Sequence, residues 1–260
     1  IMNDTWKIWD DRDEYGKSFY LRSIGEKGEM ESSKATAKIV KSLIQDNNKV
    51  LDIGCGGGHY LVSLDKTIDK KFSYHGIDAT QSYIELAKKA FRDSSTEYRK
   101  EAIFEEGDIF NLPVPDGFAD IVMCNNVLLH LPKIEKPVSE LWRASKKYLI
   151  IRALIGEVSL RVKFVEEPEE FDENGDPINY YFHNIYSKSY IEKIIQSLNG
   201  VKQYKIFSDL DFDENNLGLE NFEDLEYSDH ENKFVTESLS GMQVASYLIQ
   251  PWSYVVIERE

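Results

Sequence analysis

The sequence predicts an α/β fold: a mostly parallel sheet with helices on both faces, an antiparallel strand at the end of the chain and an inserted β-hairpin. Three observations carry this. Short apolar runs alternate with helix-period patterns between residues 32 and 154, the order expected of βαβ units. The stretch Lys49–Tyr60, K-V-L-D-I-G-C-G-G-G-H-Y, reads as a buried strand running into a glycine-rich turn. After residue 154 the regularity breaks, and alternating Val158, Leu160, Val162 and Phe164 face a second strand-like run, Pro177 to Tyr186, across the turn signal Asn174-Gly175.

In chain order, Trp6 to Glu31 is aromatic and charged without a clean period, and is expected to form an arm that packs aromatics over a pocket or on the domain surface. Ser32-Ser33 opens a helix with Ala35, Ile39, Val40, Leu43 and Ile44 on one face. The glycine turn follows, then a short helix carrying Leu61, Val62, Leu64 and Ile68, a strand from Phe72 closing on Asp78, and a helix from Ser82 to Arg92. Ala102–Glu106, Ala119–Cys124 and Tyr148–Leu154 read as further strands, with a helix over Glu135–Ser145 between the last two. Beyond the hairpin, Ser187 or Ser189 can cap a helix that stops at Asn199-Gly200, and Lys202–Phe207 is a strand. An acidic, irregular excursion begins at Asp209, and Met242–Ile249 and Trp252–Glu258 are read as a final antiparallel edge.

Composition excludes several function classes. With 42% hydrophobic residues in 260, the chain can bury a full core, and one domain is expected over 1–260. Its parts are an arm and helix (1–47), a core (48–156), the inserted hairpin (157–187) and the rest of the sheet (188–260). A balance of 31 basic against 46 acidic residues, net charge −15, argues against nucleic acid and anionic membrane as partners. The two cysteines, Cys55 and Cys124, form no Cys-x-x-Cys pair, so neither a disulfide framework nor a metal site is expected, and a reducing, cytoplasmic setting fits. No window approaches the ~18 uninterrupted apolar residues of a membrane span. The hairpin acids Glu166, Glu167, Glu169, Glu170, Asp172, Glu173 and Asp176 lack the spacing of a calcium loop and are expected to be a solvated tip.

The glycine spacing decides between two ligand types. A dinucleotide turn wants its third glycine at the sixth position, where this chain has His59, so a pyrophosphate is disfavoured. An acid two residues ahead of the first glycine, Asp52, suits a ligand with positive charge. In Asp52-Ile53-Gly54-Cys55-Gly56-Gly57-Gly58 the sequence resembles the first motif of the class I S-adenosylmethionine-dependent methyltransferases, in their small-molecule branch. Three more stretches match in order: Tyr74-His75-Gly76-Ile77-Asp78, Gly107-Asp108-Ile109 and Met123-Cys124-Asn125-Asn126-Val127-Leu128-Leu129-His130-Leu131-Pro132.

The resemblance implies a Rossmann-like, seven-stranded sheet and S-adenosylmethionine as cofactor. It implies that Gly54, Cys55 and Gly56 approach the aminoacyl part and sugar, that Asp52 orients the ammonium group, and that Asp78, beside Ala79, takes the ribose hydroxyls. Asp108 and Ile109 would face the adenine, Asn125 would line the methyl-donor pocket, and Tyr20 and Arg22 are candidates to cover it. Methyl transfer starts from an activated sulfonium, so the protein aligns the partners and removes a proton from the acceptor. His130 is the candidate base and His183, on the insert, the second. The expected acceptor is a small molecule, a sugar or natural-product-like compound, methylated on oxygen or nitrogen. A protein or RNA methyltransferase of the same fold, a non-catalytic cofactor-binding subunit and a dehydrogenase stay as alternatives.

Overall fold

Asn48–Ile53 (β1) is buried along its last four residues, as an interior parallel strand must be. In the computed structural model, which describes residues 13–92, 101–209, 236–239, 242–245 and 248–260, this strand sits at the centre of the main sheet. Phe72–Asp78 (β2) and Ile103–Glu106 (β3) pair parallel on one side of it. Ala119–Asn125 (β4) and Ser145–Gly156 (β5) pair parallel on the other. The inserted hairpin pairs Lys163–Val165 (β6) with Tyr180–Phe182 (β7), and Tyr186–Ser187 (β8) joins the end of β5. Val201–Ser208 (β9) lies at the far edge.

Near the end of the chain come Thr236–Leu239 (β10), Met242–Ala245 (β11), Leu248–Gln250 (β12) and Trp252–Arg259 (β13). The main sheet runs β3-β2-β1-β4-β5-β13-β9, with β13 antiparallel to both neighbours. The last strand is thus antiparallel as expected, but it is not an edge, and β10–β12 form a separate three-stranded sheet. Apolarity explains the correction. Tyr254, Val255 and Ile257 are buried, which needs cover on both sides, whereas β9 alternates with exposed Lys202, Gln203 and Lys205, the charged character that protects a free edge.

Two helical layers complete the core. Asp13–Ile24 (α1), Glu31–Leu43 (α2), His59–Thr67 (α3) and Gln81–Arg92 (α4) lie on one face, where Val40, Leu61, Leu64, Ile84 and Phe91 pack on Val50, Ile121, Met123 and Tyr254. Glu135–Ala144 (α5) and Lys188–Gln196 (α6) cover the other, with Leu141, Trp142, Ile191 and Ile194 against Leu51, Val122, Ile151 and Val255. Ser187 caps α6 by accepting a 3.2 Å bond from the Tyr190 N–H.

The helix α1 falls in the arm whose sequence shows no period. Gly16 lies inside it, and a Cβ there would stand 2.7 Å from the Tyr83 ring, so a tertiary contact with α4 holds a segment of weak helical preference. At the hairpin tip Asp172 Oδ1 accepts from the Asn174 and Asp176 N–H groups at 2.8 and 2.9 Å, the bonding of an Asx turn. Trp6, Trp9 and the excursion over 210–235 lie outside the described residues. Among the described residues no helix is long and apolar enough to cross a membrane.

Because β13 closes the sheet, Ile257→Ala, which opens a cavity opposite Leu149 and Tyr204, should cost about 2–5 kcal/mol, measured as a lowered urea midpoint. A loss under 1 kcal/mol would mean that β13 is not integral to the core.

Candidate cofactor and acceptor site

The carboxyl ends of β1, β2, β3 and β4 meet at the glycine turn, and its backbone is shaped by one close contact. Gly54 has φ +78, and a Cβ there would lie 2.2 Å from Val127 Cγ2, so both the conformation and the space exclude a side chain. Gly56 and Gly58 also have positive φ, 51 and 79. The turn's N–H groups are directed inward. Gly54 and Cys55 donate to Ile77 O at 2.7 and 3.2 Å, Gly56 to Asp78 Oδ2 at 2.8 Å and Gly58 to Cys55 O at 2.9 Å. These four N–H groups are therefore not available to a phosphate. The Cys55 side chain points into the core against Gly76, and burial drives its thiol well above the ordinary range, so Cys55 can offer a ligand only its backbone.

Each acid of the motifs sits differently. Asp78, half-buried at the end of β2, receives N–H bonds from Gly56 and from Thr80 (2.9 Å), while Ala79 beside it is half-exposed. Asp108 is exposed and accepts from the Phe110 N–H at 2.8 Å, with Ile109 buried next to it. Asp52 is 2% exposed and lies beneath the turn, where its Oδ2 accepts a 2.6 Å bond from the Tyr74 hydroxyl. Burial, helped by the Asp78 charge, pushes its carboxyl up to about 7 despite that bond. Asn125, at the end of β4, is 6% exposed; its Oδ1 accepts from Thr36 at 3.3 Å, while its Nδ2 has no hydrogen-bond partner among the described residues.

The N-terminal arm roofs the turn through α1. The Phe19 ring stacks on His59 with centroids 4.5 Å apart and planes 3° from parallel, and Ser23 Oγ donates to Gly57 O at 2.7 Å. Tyr20 is half-buried, its backbone N against Gly57 and its ring under Lys89 Nζ at 4.9 Å. Arg22 donates to Gly28 O and so fastens the loop after α1. His59 is buried, and desolvation followed by the Arg22 charge lowers it to about 3, which fits a packing role and no proton transfer near neutrality.

His130 and His183, far apart in sequence, lie together. His130 ends a short 3-10 turn, Leu128–His130, after β4. The base of the hairpin is sewn to this turn: Asn184 N–H donates to Leu129 O and Asn184 Nδ2 to Leu131 O, both at 2.9 Å, and the Tyr186 hydroxyl to Leu128 O at 3.0 Å. The two imidazoles come 6.2 Å apart at an 80° angle, beside Phe164. His130 Nδ1 lies 3.0 Å from Phe182 O, which can only accept, so Nδ1 carries a proton and, in the neutral ring, the lone pair is on Nε2. His183 Nε2 faces Gln250 Nε2 at 3.0 Å, and burial lowers this histidine to about 4. Among the described residues there is no group of three or more ligating side chains fit for a metal ion.

The comparisons with known proteins agree with this geometry. A family model described as a methyltransferase domain matches residues 44–196, more than half of the chain. The chain belongs to that family. Within it, the fold and the motif order are those of the class I S-adenosylmethionine-dependent methyltransferases. This methyltransferase is 29% identical over 110 residues to a demethylmenaquinone methyltransferase of Lactobacillus johnsonii, covering 42% of this chain and 44% of that protein. It is 28% identical over 106 residues to a 2-phytyl-1,4-naphtoquinone methyltransferase of Nostoc punctiforme, covering 40% of this chain and 45% of that one. These matches span less than half the length of either relative. Among solved structures, magnesium protoporphyrin IX methyltransferase of Synechocystis PCC 6803 superposes with a TM-score of 0.55 at 16% identity, over 100% of this chain and 99% of that one. A methyltransferase of Methanosarcina mazei gives 0.54 at 15%, over 85% and 96%. At these identities the likeness is one of fold.

The residues present fit S-adenosylmethionine. A turn without room for side chains, a half-exposed carboxylate after β2, an exposed one after β3 and an orphaned amide donor after β4 complement sugar hydroxyls, an amino-purine and a carboxylate. Sequence reasoning placed Phe19 only among the aromatics of the arm and missed Gln250 and Arg152. Only the last left a signal, a charge inside the apolar run Tyr148–Leu154.

Gly54→Ala should lower S-adenosylhomocysteine affinity at least tenfold by calorimetry, because its methyl group must displace Val127; unchanged affinity would refute the seat. A second test uses pH. The folded state keeps a proton on Asp52 that the unfolded chain releases near 3.8, so this stabilisation is complete below that value and is lost as pH rises through about 7. The urea midpoint should fall more steeply across that window in the wild type than in Asp52→Asn. Equal slopes would show that Asp52 does not titrate there.

Proposed function

We propose that this methyltransferase moves the methyl group of S-adenosylmethionine to a hydroxyl oxygen of a small, ring-bearing acceptor, with His130 as general base. The observation that carries the reading is the 3.0 Å approach of His130 Nδ1 to the Phe182 carbonyl, which in the neutral ring leaves the lone pair on Nε2, under an aromatic hairpin. The bound cofactor supplies an electrophilic methyl on a sulfonium. A neutral amine attacks such a carbon without help, whereas a hydroxyl gains from losing its proton as the bond forms, so a positioned neutral imidazole favours oxygen over nitrogen. Phe164 and Tyr181, on the hairpin face that carries His183, offer apolar surface to a ring, as for a sugar or a natural-product intermediate. The relatives named for demethylmenaquinone and 2-phytyl-1,4-naphtoquinone support a ring-bearing acceptor, while the choice of oxygen rests on His130 alone.

In this reading Asp78 accepts from both ribose hydroxyls, Asp108 and the Ile109 backbone meet the adenine, Asn125 Nδ2 donates to the aminoacyl end and Asp52 faces the ammonium from below. His183, held neutral by burial, positions the acceptor beside His130. The chain works as one domain, with residues 48–156 as the donor half and the arm and the 157–187 hairpin as acceptor walls.

S-adenosylhomocysteine at about one hundred times its Kd should raise stability by about 2.7 kcal/mol, seen as a higher Tm, while NAD leaves it unchanged. Asp78→Ala should weaken that binding, and wild-type affinity in the variant would sink the ribose assignment. His130→Gln should keep the affinity but lower kcat about 10²–10⁴-fold on a panel of ring-bearing hydroxyl compounds, with loss of the acidic limb of the pH–rate profile. Full activity in that variant would reject the base.

A further inference from the structure

Strand β5 carries a full charge amid apolar neighbours. Arg152 is 1% exposed and lies between Ile151 and Ala153, opposite Asn125 on β4 and Tyr254 on β13. A buried guanidinium is costly unless its geometry is well matched, and such pairs are poor sources of stability compared with apolar packing. Arg152 is matched on several sides. Its Nε donates to Asp209 Oδ2 at 2.7 Å, its Nη1 to Asn126 Oδ1 at 2.5 Å, and its plane lies 4.1 Å from the Trp252 ring centroid. Asp209 is itself buried, with its N–H bonded to Trp252 O at 2.9 Å.

What the guanidinium holds is Asn126. This residue has φ +61, and Arg152 grips it twice, since the Asn126 N–H also donates to Arg152 O at 3.0 Å. Its Nδ2 reaches the Tyr60 hydroxyl at 3.5 Å, in the helix that follows the glycine turn. The next residue, Val127, is the one pressed against Gly54. A continuous path therefore runs from Asp209 through Arg152 and Asn126 to the glycine turn, and Asp209 is also where the chain leaves β9 towards the excursion.

We propose that Arg152 is a positioning residue for the donor seat. By clamping Asn126 it sets Val127 on Gly54 and so fixes the gap between the β4 exit and the glycine turn, while Asp209 holds the guanidinium in the plane that does this. The inference rests on the methyltransferase reading of that seat. A lysine keeps the charge but cannot bond to both partners while stacking on Trp252.

The test is a double-mutant cycle read by calorimetry with S-adenosylhomocysteine. Arg152→Lys and Asn126→Gly, the latter chosen because glycine tolerates the left-handed backbone, should each weaken binding about tenfold. The double variant should be no weaker than the worse single one. Ile257→Val, a core change remote from the clamp, should lower the urea midpoint yet keep wild-type affinity. Wild-type affinity in either clamp variant, additive losses, or an equal loss in Ile257→Val would overturn the proposal. Should Arg152→Lys not fold, Asp209→Asn with Asn126→Gly closes the same cycle from the other end, with the same non-additivity expected. A wild-type protein that does not bind S-adenosylhomocysteine would overturn the reading of the seat and this inference with it.

Discussion

The contact of Val127 with Gly54 is the constraint on which the rest of the site depends. Two strands carrying different parts of the candidate machinery, β1 with the glycine turn and β4 with Asn125 and His130, can approach this closely only because one lacks a Cβ. The approach brings a buried carboxylate, a half-exposed carboxylate and an orphaned amide to one edge of the sheet. Desolvation and the Asp78 charge draw the Asp52 carboxyl towards neutrality against the Tyr74 bond, and a ligand carrying an ammonium group would supply a counter-charge.

The hairpin does for the acceptor side what β4 does for the donor side. Its acidic tip is solvated turn chemistry and its base is a set of hydrogen bonds to the turn after β4. Asn184 and Tyr186, buried polar side chains with no role in the chemistry itself, align His183 with His130. An insertion that looks peripheral in the sheet diagram thereby sets the orientation of an imidazole that follows an interior strand.

The donor half was legible in the sequence because its signals are local. Asp52, the glycines, Asp78 and Asp108 stand at strand ends, and a strand end is marked by a change of pattern within a few residues. What was not legible depends on distant partners. The helix α1 forms on Tyr83 and His59, which its own sequence does not announce. The insertion of β13 between β5 and β9 is a comparison of two strands' apolarity, not a property of either. Gln250 and Asp209 became parts of the site only through residues some 60 positions away. Arg152 was visible as an anomaly, a charge in an apolar strand, but its meaning required Asn126.

The place of β13 has a consequence for the order in which the molecule can be made. β5 is translated about a hundred residues before the strand that pairs with its outer side, and β9 must wait for the same partner. While the ribosome works through that interval, the inner strands β1 to β4 can assemble, but the outer edge of β5 stays unsatisfied and open to wrong pairing. The Arg152–Asp209 pair, whose stacking partner Trp252 opens β13, is therefore among the last contacts to form, and the candidate donor seat that it braces is completed only when the final strand joins β5 to β9.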